Sequence, residues 1–334
     1  MTSHRGQSRN NRGRTRIGSW SVIPILLLPT LAFAQGWPSK PILMLSGLGA
    51  GNPGDLTLRA ITPKMSEVLG QPFVIDMRPA AAGVLAITAA AKAQPDGHTL
   101  LFSSSFLVSS RYLLKDPPFD VLKDLTPISF VIASPSVFAV HASIPANNMK
   151  EFIEYAKANP GKLAYVHTGE GGALHLIGQA VNQRAGIDML PVAYKASGST
   201  MINDFVSGRV PVYFPGLGTI RPFVKDGKAK IIAVVNSTRL KQLPDVPTAD
   251  ETLPGLFNVT PWFAFLGPPG LPRPIAERVA AETRKALADP QIVAQLDSFG
   301  ISIGGSTPDE FAAKLRYEID AMGKLFKTLD IKPE

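Results

Sequence analysis

The chain has no cysteine among its 334 residues. This absence excludes disulfide bonds, thiol catalysis and lipid attachment at an N-terminal cysteine. The five histidines show no His-x-x-x-His spacing, so the sequence gives no indication of a zinc site of that type. A Gly-x-Ser-x-Gly elbow and a Walker-type phosphate loop are also absent. The sequence therefore indicates no catalysis, no metal ion and no cofactor.

Little net charge remains once the N-terminal segment is set aside. The whole chain has 34 Lys and Arg against 26 Asp and Glu, a formal charge of +8. Five arginines lie in residues 1–16, which contain no acid, so the rest of the chain carries 29 basic and 26 acidic residues. No basic run is interleaved with aromatic residues, and we do not expect nucleic-acid binding.

Only one long apolar run is present, and it lies near the N-terminus. It extends from Trp20 to Ala34, contains two prolines and ends in a small-x-small triplet. Its length of about 15 residues is too short for a spanning helix, which needs about 20. A basic segment followed by such a run is typical of a secretory signal peptide, here residues 1–34 with cleavage after Ala34. We therefore expect a periplasmic protein, with an uncleaved membrane anchor as the alternative.

A glycine-rich loop follows the first apolar run of the expected mature chain. Residues 46–55 read Ser-Gly-Leu-Gly-Ala-Gly-Asn-Pro-Gly-Asp and lead into a helical pattern. Its glycine spacing, with Asp76 after the next apolar run, formally matches a dinucleotide-binding fingerprint. An exported chain without a twin-arginine signal crosses the membrane unfolded and meets no nicotinamide pool. We therefore favour a loop whose backbone N–H groups hold a carboxylate at a helix N-terminus.

Short β-branched runs alternate with helical patterns along the mature chain. The predicted strands are residues 42–46, 73–76, 99–103, 163–167, 190–194, 210–214, 230–236 and 262–266. The predicted helices are residues 56–69, 84–93, 149–158, 174–185, 200–206, 219–226, 272–288, 289–299 and 307–328. This alternation predicts an α/β fold with mainly parallel sheets flanked by helices.

Two segments indicate that the chain passes twice between two lobes. Residues 128–142 are β-rich and run through Ser134-Pro135 without a helix, and the proline-rich residues 244–261 lead into another strand. We therefore assign residues 37–140 and 260–334 to lobe 1, and residues 141–259 to lobe 2. A cleft between two hinged lobes is the usual place for a small ligand.

Several segments resemble, in order along nearly all of the mature chain, the recurring segments of one family. They include Trp37-Pro38-Ser39-Lys40-Pro41, Pro95-Asp96-Gly97-His98-Thr99, Leu243-Pro244-Asp245-Val246-Pro247 and Ser306-Thr307-Pro308-Asp309-Glu310. The family is that of the substrate-binding proteins of tripartite tricarboxylate transporters, the Bug periplasmic solute receptors. The resemblance implies a two-lobed, type II-like periplasmic binding-protein fold that closes on a small carboxylated solute. It also implies a monomeric receptor, not an enzyme, that delivers the solute to membrane transporter subunits.

The resemblance further implies which residues bind the ligand. They are Leu48, Gly51, Asn52, Gly54 and Asp55 in the first loop, Ser104 and Ser105 after the third strand, Gly171, Gly172, Ala173 and His175 at a helix start of lobe 2, and Ser197 and Pro215. In the first loop the family often has Gly-Gly-Thr-Asp, so the Asn52 amide would replace a threonine hydroxyl. Because Gly172 and Ala173 stand where hydroxyls are frequent, backbone N–H groups would do more of the binding.

Other interpretations of these residues remain open. The glycine loops could be ordinary turns into helices, His175 could cap or pack, and the two serines could bond local backbone groups. Pro215 stands where the family often has an acid, so we expect a ligand without an amine, unless Glu170 supplies the missing anion. The alternative functions are a receptor domain that feeds a sensor kinase and an exported hydrolase that uses the serines of residues 103–105.

Overall fold

The computed structural model describes residues 36–79, 83–194, 198–254, 256 and 260–333. The predicted signal peptide, its cleavage site and the predicted site residue Ser197 lie outside these residues. Among the helices that the structure describes, none is both long and apolar enough to cross a membrane.

The first sheet is built by strands from both ends of the described chain. Its strands are β1 (Ile42–Ser46), β2 (Phe73–Met77), β3 (Thr99–Ser104), β4 (Thr126–Ala133), β10 (Trp262–Gly267) and β11 (Ser302–Ile303). Their order is β11-β4-β10-β3-β1-β2. β1 pairs in parallel with β2 and β3, whereas β10 is antiparallel to β3 and β4, and β11 is antiparallel to β4.

The second sheet is formed by the middle of the chain. Its strands are β5 (Ser136–His141), β6 (Ala164–His167), β7 (Leu190–Ala193), β8 (Val212–Tyr213) and β9 (Ala229–Val235), in the order β7-β6-β8-β5-β9. β6 is parallel to β7 and β8, whereas β5 is antiparallel to β8 and β9. Both sheets are mixed rather than mainly parallel, because the strand that arrives from the other sheet, β5 or β10, runs antiparallel to its neighbours.

Helices flank the sheets, with bounds close to the predicted ones. They are α1 (Pro53–Leu69), α2 (Val84–Ala91), α3 (Phe106–Leu113), α4 (Met149–Ala158), α5 (Ala173–Ala185), α6 (Gly198–Val206), α7 (Leu217–Lys225), α8 (Ala249–Thr252), α9 (Arg273–Leu287), α10 (Pro290–Ser298) and α11 (Pro308–Thr328). α3 and the short α8 were not predicted. The α/β class is confirmed.

α11 begins at the predicted cap and packs along one face. The Thr307 hydroxyl accepts from the Glu310 N–H at 3.3 Å, and the Glu310 carboxylate accepts from the Thr307 N–H at 2.8 Å. That backbone hydrogen bond is the main cause that lowers the pKa of Glu310. The buried face of α11 belongs to a core cluster that also contains Leu101 of β3 and Phe138 of β5. The core therefore extends from the first sheet to the second.

The chain crosses between the sheets at two neighbouring segments. The first crossing, at Ser134 and Pro135, separates β4 from β5, and the second precedes β10. The Ser134 N–H donates to the Pro261 carbonyl at 2.8 Å, which joins the two crossings. The predicted lobe boundary at 140/141 places most of β5 in lobe 1, whereas β5 pairs with strands of the second sheet. The division into lobes stays a prediction.

Candidate functional site

Parallel pairing places the predicted loops at two sheet edges. β1 and β3 are parallel, so their carboxyl ends lie at the same edge of the first sheet, and the same holds for β6 and β8 in the second. Ligands of open α/β sheets bind beyond the carboxyl ends of such strands. We call residues 47–55, after β1, the first loop, and residues 168–172, after β6, the second loop.

The first loop is held by its own side chains. Asn52 caps α1, since its Oδ1 accepts from the Asp55 N–H at 3.0 Å, and its Nδ2 donates to the Gly49 carbonyl. The buried Asp55 carboxylate accepts from the Gly51 N–H and from Arg59 Nε, each at 2.8 Å. The amide of Asn52, which we expected to face the ligand, is therefore engaged within the loop.

These contacts leave few donors at the amino end of α1. Pro53 occupies the first helical position and has no N–H, and the N–H of Asp55 is bound to Asn52. The Asp55 carboxylate also lies in the first turn, where it complements the positive end of the helix dipole. An internal carboxylate therefore already complements this helix end, and the ligand-binding role of the first loop stays a prediction.

The glycines of the first loop permit close packing. A Cβ at Gly54 would lie 2.4 Å from Phe263 Cδ1 and 2.6 Å from Leu48 Cδ1. Leu48 is buried in a core cluster with Phe263. A Cβ at Gly47 would lie 2.5 Å from the Cα of Gly83. Sequence reasoning missed Phe263 and Gly83, because both contacts join segments that are distant in the chain.

Ser104 and Ser105 end β3 and precede α3, where the sequence predicts a loop. Ser104 Oγ accepts from the Phe106 N–H at 3.4 Å, and the Ser105 N–H donates to the Trp262 carbonyl at 2.9 Å. No imidazole in the described part of the chain is hydrogen-bonded to either serine. The described residues therefore form no serine–histidine pair at this loop.

The second loop opens α5 without a side-chain cap. Gly172 is the N-cap residue, with φ −70° and ψ 159°, and its N–H donates to the Gly169 carbonyl at 3.3 Å. The N–H groups of Ala173 and Leu174 lie in the first turn, where no intrahelical acceptor exists. The first turn of α5 contains no acid. This helix end therefore presents backbone donors and a positive partial charge.

Two buried imidazole rings are hydrogen-bonded to the backbone of the second loop. His167 ends β6 and is 1% exposed, and His175 in α5 is 4% exposed. Their ring centroids are 4.9 Å apart. His167 Nδ1 accepts from the Gly169 N–H, and His175 Nδ1 accepts from the Gly171 N–H, each at 3.2 Å. His175 thus holds the loop in place, and His167, which sequence reasoning missed, does the same from the strand.

The Glu170 carboxylate lies beside both rings. Its Oε2 is 2.8 Å from His175 Nε2, and its Oε1 is 3.8 Å from His167 Nε2. Tyr165 contacts both histidines. Its ring centroid lies 6.0 Å from that of His167, and its hydroxyl lies 3.4 Å from the His175 carbonyl oxygen. Burial raises the pKa of the Tyr165 phenol, so this group stays a neutral donor.

Pro215 lies two residues before the start of α7, near the amino end of α1. Its carbonyl accepts from the Val137 N–H at 2.8 Å. A Cβ at the next residue, Gly216, would lie 3.1 Å from Ser134 Oγ and 4.0 Å from Pro53 Cγ. The amino ends of α1 and α7, which belong to different sheets, therefore approach each other.

Further contacts join the predicted groups. Ser104 pairs with Phe263 of β10, which also packs against Gly54 of the first loop. A Cβ at Gly171 would lie 2.9 Å from the Leu113 side chain, so the second loop reaches α3. Segments of the two sheets therefore contact each other at two points, Gly216 with Pro53 and Gly171 with Leu113.

Two cavities open outside the predicted set. One, of about 560 Å³, lies beside α3 and is lined by Arg111, Pro117, Pro118, Phe119, Asp120 and Asp124. The other, of about 380 Å³, lies between the segment after β9 and the α10–β11 region. Neither cavity is lined by a described residue that we predicted. Among the described residues, no three or more His, Cys, Asp or Glu side chains are placed so that they could hold a metal ion.

Comparisons with known proteins decide the family. The model described as "Tripartite tricarboxylate transporter family receptor" matches residues 57–330. The chain belongs to this family. A UPF0065 protein from Bordetella bronchiseptica is 35% identical over 316 residues, which cover 93% of each chain.

Two solved structures are also similar to this chain. The periplasmic binding protein BugD has a TM-score of 0.80 and 27% identity, over 89% of this chain and 100% of BugD. R. palustris Rpa4515, solved with adipate, has a TM-score of 0.83 and 26% identity, over 90% of this chain and 100% of Rpa4515. The predicted family and the periplasmic binding-protein fold are confirmed. The receptors of this family are periplasmic.

Proposed function

We propose that this receptor binds a small carboxylate between its two sheets and delivers it to a membrane transporter of the tripartite tricarboxylate type. The observation that carries the proposal is the amino end of α5, where uncapped backbone donors lie in front of two buried imidazoles. The adipate bound by Rpa4515 supports a linear dicarboxylate as the first ligand to test. The protein acts as a receptor rather than as an enzyme.

The predicted residues take two roles in this proposal. Gly171 and Gly172 form the turn into α5, with their own N–H groups bonded to His175 Nδ1 and the Gly169 carbonyl, and the N–H groups of Ala173 and Leu174 bind the carboxylate. Leu48, Gly54 and Pro215 shape the opposite wall, together with Ser104 and Ser105. Because the solute contacts loops of both sheets, it stabilises the closed arrangement more than an open one, and the transporter reads that closure.

The chemistry near Pro215 favours a ligand without an amine. Phe214 and Leu217, on either side of the Pro215–Gly216 turn, are buried and apolar. Glu170 is the acid that could replace the missing anion, and it lies 2.8 Å from His175 Nε2 in this structure. If amino acids bound more tightly than their matched acids, and Glu170→Gln removed that preference, Glu170 would be the anion that pairs with their ammonium. An ammonium enclosed without a partner costs several kcal/mol. We expect succinate and adipate to bind at least about 10-fold more tightly than aspartate and 2-aminoadipate, about 1.4 kcal/mol.

Calorimetry on matched acids tests this ligand class. Each dicarboxylate is titrated beside its amino counterpart, after a thermal-shift panel and mass spectrometry of copurified solutes have identified the best binder. Tighter binding of the amino acids would contradict the proposal for the ligand. If no carboxylate stabilised the protein, or if ester substrates were turned over, the receptor function itself would be wrong.

The predicted signal peptide implies that the receptor is exported. We propose that the signal peptide is removed after Ala34, so that the periplasmic receptor begins at Gln35 and acts as a monomer. N-terminal sequencing of periplasmic material and light scattering measure both points. An intact Met1 form recovered from washed membranes would contradict the cleavage.

A further inference from the structure

The hydrogen bonds at Nδ1 determine where the imidazole protons lie. Since Nδ1 of His167 and Nδ1 of His175 each accept a backbone N–H, neither atom carries a proton in this arrangement. A neutral ring then has its proton on Nε2. Both rings therefore present an Nε2–H donor on the side where the Glu170 carboxylate lies, at 2.8 Å from one ring and 3.8 Å from the other.

The two donors are fixed, and they are shielded from water. His167 is the last residue of a paired strand, and His175 lies in the first turn of α5. Tyr165 contacts both residues. A buried donor that loses its acceptor is costly, so these N–H groups require a partner. In this structure the Glu170 carboxylate is within hydrogen-bond distance of His175 Nε2, at 2.8 Å, and lies 3.8 Å from His167 Nε2.

The Glu170 side chain, by contrast, is placed so that it can move away from the two imidazoles. That side chain is 41% exposed, whereas those of the two histidines are at most 5% exposed. It stands between Gly169, with φ 145°, and Gly171, with φ 63°, conformations in which glycine is favoured. A carboxylate that is already partly hydrated can move into water without the cost of breaking a packed contact.

We propose that His167 and His175 form a carboxylate-binding dyad, which Glu170 occupies while no solute is bound and from which a solute carboxylate displaces it. This inference rests on the proposed function and assigns the anchoring group of the same site. The exchange replaces one carboxylate by another, so the imidazole protons stay on Nε2. Glu170 precedes Ala173, the first residue of α5, by three residues, and in this proposal the N–H groups at the start of α5 bind the second oxygen of the solute carboxylate.

Competition between Glu170 and the solute gives the first test. Glu170→Gln keeps the size of the side chain but removes its charge, and we expect it to bind adipate, or the best dicarboxylate of the panel, about 10-fold more tightly than wild type. Glu154→Gln on the exposed side of α4 is the control, because it changes the net charge equally. Calorimetry at fixed ionic strength measures all three proteins, and melting curves confirm that they are folded.

Imidazole spectra give the second test, which needs no variant. In protein labelled with ¹⁵N-histidine, adipate should shift the Nε2 resonances of His167 and His175 in wild type. The dyad is supported if these resonances shift and Glu170→Gln binds more tightly than both wild type and the control. It is overturned if the Nε2 resonances do not respond to a bound solute, or if Glu170→Gln binds equally or more weakly. Absence of carboxylate binding to wild type would instead overturn the proposed function.

Discussion

The first and the second loop have similar sequences but different internal partners. Each is rich in glycine, follows a parallel strand and leads into a helix. The acid of the first loop, Asp55, has a 4% exposed side chain and is bound to Arg59 and the Gly51 N–H. The acid of the second loop, Glu170, is 41% exposed and lies against two imidazoles. We therefore infer that the nearest acid, rather than the number of glycines, decides which loop accepts a solute anion.

The difference extends to the helices that the loops open. α1 has a capping side chain and an acid in its first turn, whereas α5 has neither. An internal anion thus already complements the amino end of α1, while the amino end of α5 still offers its backbone donors. We infer that the first loop mainly stabilises the fold and that the second loop binds charge.

The largest expected effect comes from placing a fixed anion in the second loop. Gly172 has the extended backbone of a normal N-cap, so Gly172→Asp should cap α5 and occupy the solute's donors. We expect adipate affinity to fall at least 100-fold, about 2.8 kcal/mol. The melting temperature should be unchanged or slightly higher.

Gly172→Asn is the matched control for this substitution. Both side chains place a Cβ about 3.2 Å from the Gly169 carbonyl oxygen, so they share any local strain. The neutral amide lacks the repulsive charge, and its loss of affinity should be clearly smaller. Full affinity of the Asp variant would place the anion site elsewhere.

A smaller effect, on stability, is expected from filling space in the first loop. Gly54→Ala places a methyl group against Phe263 and Leu48, and overpacking should lower the free energy of unfolding by about 1–3 kcal/mol. A Cβ at Gly49 would have no neighbour within 4 Å, so Gly49→Ala should change stability by less than about 0.5 kcal/mol. Denaturant titration measures both. If both substitutions lowered the free energy of unfolding equally, backbone conformation rather than packing would be the reason that glycine is needed at these positions.

Removal of the Asp55 carboxylate, the acid of the first loop, should have the smallest effect. Asp55→Asn loses one charge-assisted acceptor, and we expect a loss of about 1–2 kcal/mol in unfolding free energy. Arg59→Gln should cost less than about 1 kcal/mol, because the Arg59 side chain is 55% exposed. Adipate affinity should remain within about threefold of wild type. Tighter binding by Asp55→Asn would make the two loops equivalent, contrary to our account.

Local patterns were sufficient for most helices. α4 has the predicted bounds, and Asn148 caps it with a side-chain acceptor for the Glu151 N–H. α3 was not predicted, because serines at positions 109 and 110 suit loops as well as helices. Its residues Leu107 and Val108 are completely buried, so tertiary packing stabilises this helix.

The sequence predicted the loops that follow the parallel strands, but not what each polar group in them binds. The hydrogen bond from the Asp55 N–H to Asn52 Oδ1 joins residues that are close in the sequence. Only the structure shows that this bond engages groups which a ligand could otherwise bind. His167, Glu170 and His175 lie within nine residues of each other, so their pattern was visible. The burial of the two histidines was not, because it depends on Tyr165 and on the pairing of β6 within its sheet.

A backbone amide titration tests the central difference between the loops most directly. The ¹⁵N-labelled mature protein is titrated with adipate, or with the dicarboxylate that stabilises it most, and amide shifts are followed residue by residue. Our account predicts that the N–H groups of Ala173 and Leu174 shift most, while those of Gly51 and Asp55, already bonded within the first loop, shift little. The largest shifts at Gly51 and Asp55, with none at the start of α5, would contradict it.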